Sequence, residues 1–192
     1  LRILAFESHD AGSHRQVRRE LTTRGRHDWR WVTRPGRSWK WRMRTGAAEL
    51  VQEAVSEGLL TGGWTPDVIL ATSLVSLGDL VALLPPGLRS LPSVLYMHEN
   101  QFAYPDSGRQ HSSAEPKIVN LYSAVAADKV LFNSAWNRDS FLDGARRFLE
   151  MMPDGLPDGL LEGIGRKSQV VPVPIEDRLF VEREKPINAQ CP

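Results

Sequence analysis

Short apolar runs alternate with amphipathic stretches along most of the 192-residue chain. Apolar or alternating runs of strand length predict six strands, at 2–6, 29–33, 67–71, 93–97, 129–132 and 169–173. Apolar residues at helical spacing predict helices at 14–23, 45–57, 77–84, 117–126 and 137–151. Strands that alternate with helices favour an α/β fold, in which helices cover both faces of a parallel sheet.

The predicted boundaries come from capping and turn residues. The first strand is expected to stop at Glu7, and Ser13 and Thr45 are expected to cap the two helices that follow them. The stretch 153–165 is rich in proline, glycine and aspartate and is predicted to form a loop.

Polar residues follow four of the predicted strands. They occupy 7–14, 72–73, 98–101 and 133–134. In parallel sheets, ligands bind beyond the carboxyl ends of the strands. We therefore expect these four segments to form one polar rim with a binding function.

Composition adds few constraints. The chain is 41% hydrophobic and 24% charged, as is usual for one globular domain. Its single cysteine, Cys191, rules out a disulfide within the chain, which suits a reducing compartment.

No apolar run approaches the roughly 20 residues of a membrane span, and residues 1–6 are too short for a signal peptide. A cytoplasmic protein that does not contact a membrane is expected.

Charge is distributed unevenly around a formal net charge of +1. Residues 1–44 contain twelve Lys or Arg against four Asp or Glu, a balance of +8, and residues 45–192 carry the compensating −7. A basic N-terminal region can bind an anionic partner, or it can simply form solvated faces.

The loop after the first strand contains Gly12 and Ser13 at the expected start of a helix. N–H groups at a helix N-terminus can hold a phosphate, but an ordinary turn and cap would use the same residues. The chain has no Gly-x-Gly-x-x-Gly fingerprint, no Walker A motif and no Gly-x-Ser-x-Gly elbow. A standard dinucleotide site and a serine nucleophile are therefore disfavoured.

The segment His98-Glu99-Asn100-Gln101 directly follows a strand of buried type. An imidazole here could orient a hydroxyl or take part in proton transfer, and His98 is the candidate catalytic residue. Alternatively, these side chains satisfy backbone groups at the end of the strand. The five histidines have no zinc-ligand spacing, and no bound metal is predicted.

A basic segment rich in tryptophan precedes the second predicted helix. It contains Arg37, Trp39, Lys40, Trp41, Arg42 and Arg44. Cations can hold phosphates while indole rings stack on bases or sugars. The alternative is a loop whose tryptophans fill the core while its cations remain solvated.

Together, several segments resemble the glycosyltransferase-like family that modifies queuosine in tRNA. The resemblance covers about 2–180 and rests on Glu7, Gly12-Ser13-His14, Trp39-Lys40-Trp41-Arg42-Met43-Arg44-Thr45, Tyr96-Met97-His98-Glu99-Asn100-Gln101, Phe132-Asn133-Ser134 with Asn137, Ser140 and Phe141, and Val171-Pro172-Val173-Pro174-Ile175. It implies the N-terminal half of a retaining transferase with two Rossmann-like domains (GT-B), which uses a nucleotide sugar, expected to be GDP-mannose, without a metal or other cofactor.

The resemblance also implies roles for particular residues. Gly12 and Ser13 would face the donor pyrophosphate, and His98 would lie beside the transferred sugar. The basic tryptophan segment would approach the tRNA. The remaining expected substrate-binding residues are Glu7, His14, Glu99, Asn100, Gln101, Asn133 and Ser134.

The implied division of the chain is an acceptor-side domain over 1–175 and a linker or tail over 176–192. The donor-binding C-terminal domain of the family is not in this sequence, so the chain alone is expected to be inactive. The rival hypothesis is a stand-alone module that binds RNA or anions and catalyses nothing.

Overall fold

The computed structural model describes residues 1–60, 63–104 and 114–175. They form one six-stranded sheet in which every neighbouring pair of strands is parallel, in the order β2-β1-β3-β4-β5-β6. The strands are β1 (Arg2–Asp10), β2 (Asp28–Pro35), β3 (Val68–Thr72), β4 (Ser93–Met97), β5 (Lys129–Phe132) and β6 (Ser168–Val170). The helices are α1 (Gly12–Arg24), α2 (Trp39–Ser56), α3 (Leu77–Leu83), α4 (Pro86–Arg89), α5 (Glu115–Ala126), α6 (Ala135–Glu150) and α7 (Leu160–Arg166).

The predicted Rossmann-like α/β fold is confirmed, with helices on both faces of the sheet. The larger core lies on one face and buries apolar side chains of α2, α3, α5, α6 and α7. On the other face Val17 and Leu21 of α1 pack on alternate strand residues such as Ile3, Ala5 and Leu70. Strand residues alternate between the two cores because successive side chains point to opposite faces.

Three predicted boundaries were wrong near the N-terminus. Strand β1 continues through Glu7 to Asp10 instead of stopping at Glu7. Helix α1 begins at Gly12, and the residue before it is Ala11, so Ser13 lies inside the helix and does not cap it. Helix α2 begins at Trp39, which places the basic tryptophan segment in the first turns of a helix. Thr45 donates its hydroxyl to the Trp41 carbonyl (3.0 Å) within that helix.

Two further boundaries differ near the C-terminal end. Helix α7 lies inside the stretch predicted to be a loop and buries Ile164. Strand β6 begins at Ser168 and ends at Val170, before the two prolines at 172 and 174. The predicted tail over 176–192, with Cys191, lies outside the described residues, as does His111.

No helix in the described parts of the chain is both long and apolar enough to cross a lipid bilayer.

Helix α6 packs closely on Phe102 through Gly144, where a Cβ atom would lie 2.5 Å from the Phe102 Cβ. Gly144→Ala is expected to lower the free energy of unfolding by about 1–3 kcal/mol because the helix must move outward. The matched control is Gly163→Ala in α7, where the nearest atom to the new methyl is an Arg166 nitrogen at 3.7 Å. Urea unfolding should show that Gly163→Ala raises the free energy of unfolding by about 0.5 kcal/mol. Equal shifts in both variants would contradict the predicted tight packing.

Candidate functional site at the carboxyl edge of the sheet

The predicted polar rim exists, because β1, β3, β4 and β5 are successive neighbours in the sheet. Their carboxyl ends carry Glu7, Ser73, His98 and Asn133 along the same edge. The chain runs from β1 outward to β2 and then crosses back to β3. A sheet of this order has its topological switch point between β1 and β3, where α/β proteins bind ligands.

A buried ion-pair cluster occupies this edge. Glu7 has no exposed surface, and its Oε2 lies 3.0 Å from Nδ1 of His14. The other carboxylate oxygen of Glu7 accepts the His9 backbone N–H at 2.7 Å. Oε1 of Glu99 lies 3.6 Å from Nε2 of the same His14 ring. One imidazole is therefore held between two carboxylates.

The two carboxylates determine the charge of His14. Burial by itself would lower the pKa of His14, but hydrogen bonds and charges from Glu7 and Glu99 outweigh it and raise the pKa to about 9. Burial would likewise raise the pKa values of Glu7 and Glu99, and the bonds to His14 together with its charge hold them below their usual range. The cluster at pH 7 is thus an imidazolium between two ionised carboxylates.

His98 has the opposite electrostatic character. Its ring lies edge-to-face on His14 with centroids 4.1 Å apart. Burial, followed by the positive charge of His14, lowers the pKa of His98 to about 4, so the ring is neutral at pH 7. Its Nδ1 lies 3.5 Å from Oγ of Ser73, and a backbone hydrogen bond to Tyr96 also holds the ring.

Nε2 of His98 is shielded from solvent and has no hydrogen-bond partner among the described residues. Contacts to the ring are therefore made through Nδ1, which carries the proton when it donates to a backbone carbonyl. That tautomer leaves a lone pair on Nε2. A buried lone pair without a partner costs free energy, and a ligand hydroxyl could satisfy it.

These charges predict a maximum of fold stability near pH 6.5. The pKa of His14 is raised in the folded state, so its contribution is complete below pH 6.5 and disappears as the pH rises through about 9. The pKa of His98 is lowered, so its contribution is complete above pH 6.5 and disappears as the pH falls to about 4. Urea unfolding between pH 4 and 9 should show about 3 kcal/mol lost on the alkaline side. His14→Gln should remove that alkaline loss, and a loss that persists in this variant would contradict the assignment.

Gly12 and Ser13 line a cavity of about 250 Å³ beside the cluster. Gly12 has φ +50°, and Ala11 before it provides no side-chain cap to α1. The N–H groups of Gly12 and Ser13 therefore have no intrahelical partner at the cavity end of α1, whereas the His14 N–H donates to the Ala11 carbonyl at 3.1 Å. The other residues that line this cavity are His9, Ala11, His14, Trp39, Leu74, Glu99, Gln101 and Tyr104.

The basic tryptophan segment divides into buried and exposed parts. Arg42 is buried, and its guanidinium donates to the carbonyl of Pro35. It therefore holds the end of β2 and is not available to RNA, contrary to what the resemblance implied for the whole segment. Arg44 pairs with Asp79 (3.3 Å) and Glu115 (3.6 Å).

Trp39 is half-buried and lines the cavity beside Gly12, and Lys40 lies 5.5 Å over its ring. Trp41 is 67% exposed, and Arg37 is exposed as well. Arg44 is exposed too, and Lys40 is half-buried, so four members of the segment, Arg37, Lys40, Trp41 and Arg44, are accessible to a partner.

Asparagines tie the ends of β4 and β5 to the start of α6. Nδ2 of Asn137 donates to the Met97 carbonyl and to Oδ1 of Asn133, both at 2.8 Å. Nδ2 of Asn133 donates to the His98 carbonyl at 2.8 Å, and Nδ2 of Asn100 donates to Asn137. The amides of Asn100 and Asn133 are therefore occupied within the protein, where they fix the position of His98.

Gln101 and Ser134 also have defined positions. The Gln101 backbone N–H donates to Asn120 (2.9 Å), whose own amide donates to the carbonyl of Ser73 (2.7 Å). Ser134 accepts the Asn137 backbone N–H at 3.0 Å and so caps α6. Asn120 belongs to the site although no motif in the sequence marks it. Asn137 appeared only in the Asn133-Ser134-x-x-Asn137 spacing.

Donor atoms of Glu7, His14 and His98 lie within 4.8 Å of one another, the spacing of a possible metal site. Both oxygens of Glu7 are already hydrogen-bonded, and His14 holds a proton at neutral pH. A metal ion would have to displace that proton. The absence of a bound metal remains a prediction.

A parallel α/β sheet of this order defines a Rossmann-like protein, and the charged and partly unsatisfied cluster at its switch point makes the carboxyl edge its candidate ligand site. A family model described as tRNA-queuosine alpha-mannosyltransferase N-terminal matches residues 2–175. The curated tRNA-queuosine alpha-mannosyltransferase of Drosophila melanogaster is 34% identical over 190 residues, which cover 98% of this chain and 47% of that protein. The chain belongs to this family and spans about half the length of that relative.

Proposed function

We propose that the protein transfers mannose from a nucleotide sugar, GDP-mannose, to queuosine in tRNA, and that 1–175 is the N-terminal domain that carries the acceptor. The observation that carries the proposal is the pairing of His14, charged between two carboxylates, with neutral His98, whose Nε2 has no partner among the described residues. Family membership supports mannose transfer as the chemistry in which this pair takes part.

The electrostatics suit a donor that carries both a sugar and a diphosphate. N–H groups of Gly12 and Ser13 at the start of α1 would hold the diphosphate, since a helix N-terminus favours anions. The charge of His14 is balanced by Glu7 and Glu99, so the helix N-terminus and not the imidazolium would carry the contact to the diphosphate. Nε2 of His98 would accept a hydrogen bond from a hydroxyl of the transferred sugar, which is a role for a neutral ring.

In the proposed retaining reaction, the bond between the anomeric carbon and the diphosphate oxygen breaks, and a bond to the acceptor hydroxyl oxygen forms on the same face. The acceptor proton passes to the departing diphosphate oxygen, so no protein nucleophile is required. Donors that are already in place stabilise the charge that develops on the leaving group. A second domain of the GT-B type would hold most of the donor nucleotide.

The test is an assay of the full natural protein with GDP-mannose and tRNA that contains queuosine. Mass spectrometry of the nucleosides should show one added hexose on queuosine and none on the same tRNA without queuosine. Absence of transfer with GDP-mannose and with other nucleotide sugars would overturn the proposal. The domain 1–175 alone should be inactive, because it lacks the proposed donor domain.

The rival function, binding of RNA without catalysis, has less support from the geometry. Arg42 is buried against the carbonyl of Pro35 and is not free to hold a phosphate. Arg44 is exposed, but a phosphate would compete with its surface ion pairs to Asp79 and Glu115. The remaining test is replacement of Arg37, Lys40 and Arg44 by alanine. Under the rival hypothesis this change removes most of the salt-dependent RNA binding.

A further inference from the structure

A second cavity of about 290 Å³ lies beside the first and is lined by residues from the ends of β4 and β5 and the start of α6. It shares Glu99 and Tyr104 with the cavity at Gly12. The proposed function uses the first cavity for the donor diphosphate and brings the transferred sugar to His98, which lines this neighbour, the β4–α6 cavity. It gives the rest of the β4–α6 cavity no occupant. Its aromatic residues are Tyr104 and Trp136.

Trp136 is the most exposed large side chain of this cavity, with 70% of its surface accessible. Single exposed apolar residues are common and need no explanation. This indole differs because it lines a concave site next to the charged cluster, and because the backbone that carries it is firmly held. Tyr104, which is 53% exposed, is the second accessible ring of the cavity.

The asparagine network holds Trp136 in place. Ser134 caps α6 two residues before it, and Asn137 directly after it donates to the carbonyl of Met97. The backbone at Trp136 therefore has a fixed position relative to the carboxyl end of β4, which continues into His98 and Glu99. A side chain with so few rotatable bonds on such a support can bind a flat ring at a small entropic cost.

The polar lining indicates which kind of ring would fit. The amides of Asn100, Asn133 and Asn137 are engaged with one another and with backbone carbonyls. Nε2 of His98 is assigned to the transferred sugar, so the groups left for a second ligand are the carboxylate of Glu99 and the two aromatic rings. This combination suits a planar heteroaromatic base attached to a group with hydroxyls, in which the base stacks and the hydroxyls donate to Glu99.

We propose that the β4–α6 cavity is the subsite for the acceptor nucleoside of the RNA, with its base stacked on Trp136 and its hydroxyls facing Glu99. This inference rests on the proposed function. Glu99 lines both cavities, so it lies between the two substrates. Continuity with the donor cavity favours the acceptor here, because the group that is transferred must pass directly from one substrate to the other.

The test compares Trp136→Ala and Trp136→Phe in the full natural protein, with Tyr122→Ala as control. Tyr122 is a similarly exposed aromatic residue (50%) on α5, and it lines neither of these two cavities. Stacking on one base predicts that Trp136→Ala raises KM for queuosine-bearing tRNA by about tenfold or more. The phenylalanine variant should recover part of this loss. KM for GDP-mannose and all parameters of Tyr122→Ala should stay within about twofold of wild type.

Binding of the same tRNA is measured in parallel, without donor, by quenching of tryptophan fluorescence, so that the result does not depend on catalysis. Weaker tRNA binding by Trp136→Ala, with Tyr122→Ala unchanged, supports the subsite even if the protein transfers a sugar other than mannose. Unchanged tRNA affinity, or a raised KM for the nucleotide sugar instead, overturns it. A drop in thermal stability with unchanged tRNA affinity also overturns it, because the indole would then pack against protein.

Discussion

Glu7→Gln is expected to lower the free energy of unfolding by about 3–5 kcal/mol at pH 7, because it leaves a buried imidazolium with one of its two carboxylates removed. Glu7 has no exposed surface and His14 is 5% exposed, so water cannot replace the lost charge. Native domains have only about 5–15 kcal/mol of stability, so this single atom exchange should be among the most damaging in the chain. Urea unfolding followed by far-UV circular dichroism measures the change.

A double variant separates charge from shape. Adding His14→Gln to Glu7→Gln removes the unpaired cation and should recover part of the loss, since two neutral amides can hydrogen-bond. Asp139→Asn is the control, because Asp139 pairs with Arg138 at the surface and should change stability by less than about 1 kcal/mol. A Glu7→Gln variant as stable as this control would show that His14 is neutral in the folded protein.

The same cluster explains why one edge of the sheet contains two histidines of opposite character. Glu7 and Glu99 stabilise the proton on His14, and the resulting charge helps to keep the proton off His98 only 4.1 Å away. A positive group and a neutral hydrogen-bond acceptor thus lie side by side at the same pH. Environments that push neighbouring pKa values apart are typical of catalytic sites.

The alternation of strands and helices along the chain and the polar rim could be predicted from the sequence because both depend on local pattern. Runs such as Val-Leu-Phe at 130–132 and Val-Leu-Tyr-Met at 94–97 are typical of buried parallel strands. Strands β4 and β5 have the predicted bounds. In a parallel sheet the carboxyl ends then meet at one edge whatever the details of the loops.

The predicted ends of strands and helices were wrong where a contact between distant residues outweighs the local sequence preference. The sequence predicted that the strand ends at Glu7, because an isolated charge is rarely buried. In the structure His14 of α1 pairs with Glu7 and compensates its charge, so Glu7 can be buried within β1. A cation such as Arg42 is expected to be solvated. In the structure its guanidinium donates hydrogen bonds to the carbonyls of Pro35 and Ser8, and these bonds allow Arg42 to be buried in α2. The local sequence pattern does not show that Glu7 pairs with His14 or that Arg42 donates to Pro35 and Ser8.

The ion pairs within the cluster could not be predicted, because Glu7 and Glu99 are 92 positions apart and meet only through His14. From the sequence, His98 was predicted to be catalytic and His14 to bind substrate. The sequence does not indicate which of the two imidazole rings carries a positive charge. Spacing along a chain shows which residues share an edge. The protonation of each residue depends on distances between strands that only the fold sets.

His98→Ala is expected to lower kcat/KM for mannose transfer by about a hundredfold, while stability changes little. The reason is that a substrate hydroxyl would lose its acceptor inside a closed site, and loss of one such hydrogen bond typically costs 10²–10³ in rate. His98→Gln supplies an amide oxygen and should recover part of the activity. The control is His27→Ala between α1 and β2, since His27 is exposed and lines neither cavity of the carboxyl edge.

The pH dependence of kcat/KM distinguishes whether the neutral or the protonated form of His98 takes part in the reaction. With a pKa of about 4, roughly one ring in a thousand is protonated at pH 7. A neutral acceptor therefore predicts that kcat/KM is flat between pH 6 and 8, because His98 does not titrate in that range and His14 titrates only near 9. Activity that falls between pH 6 and 8 in wild type but not in His98→Gln would mean that the imidazolium form is required, and the assigned role of Nε2 would then be wrong.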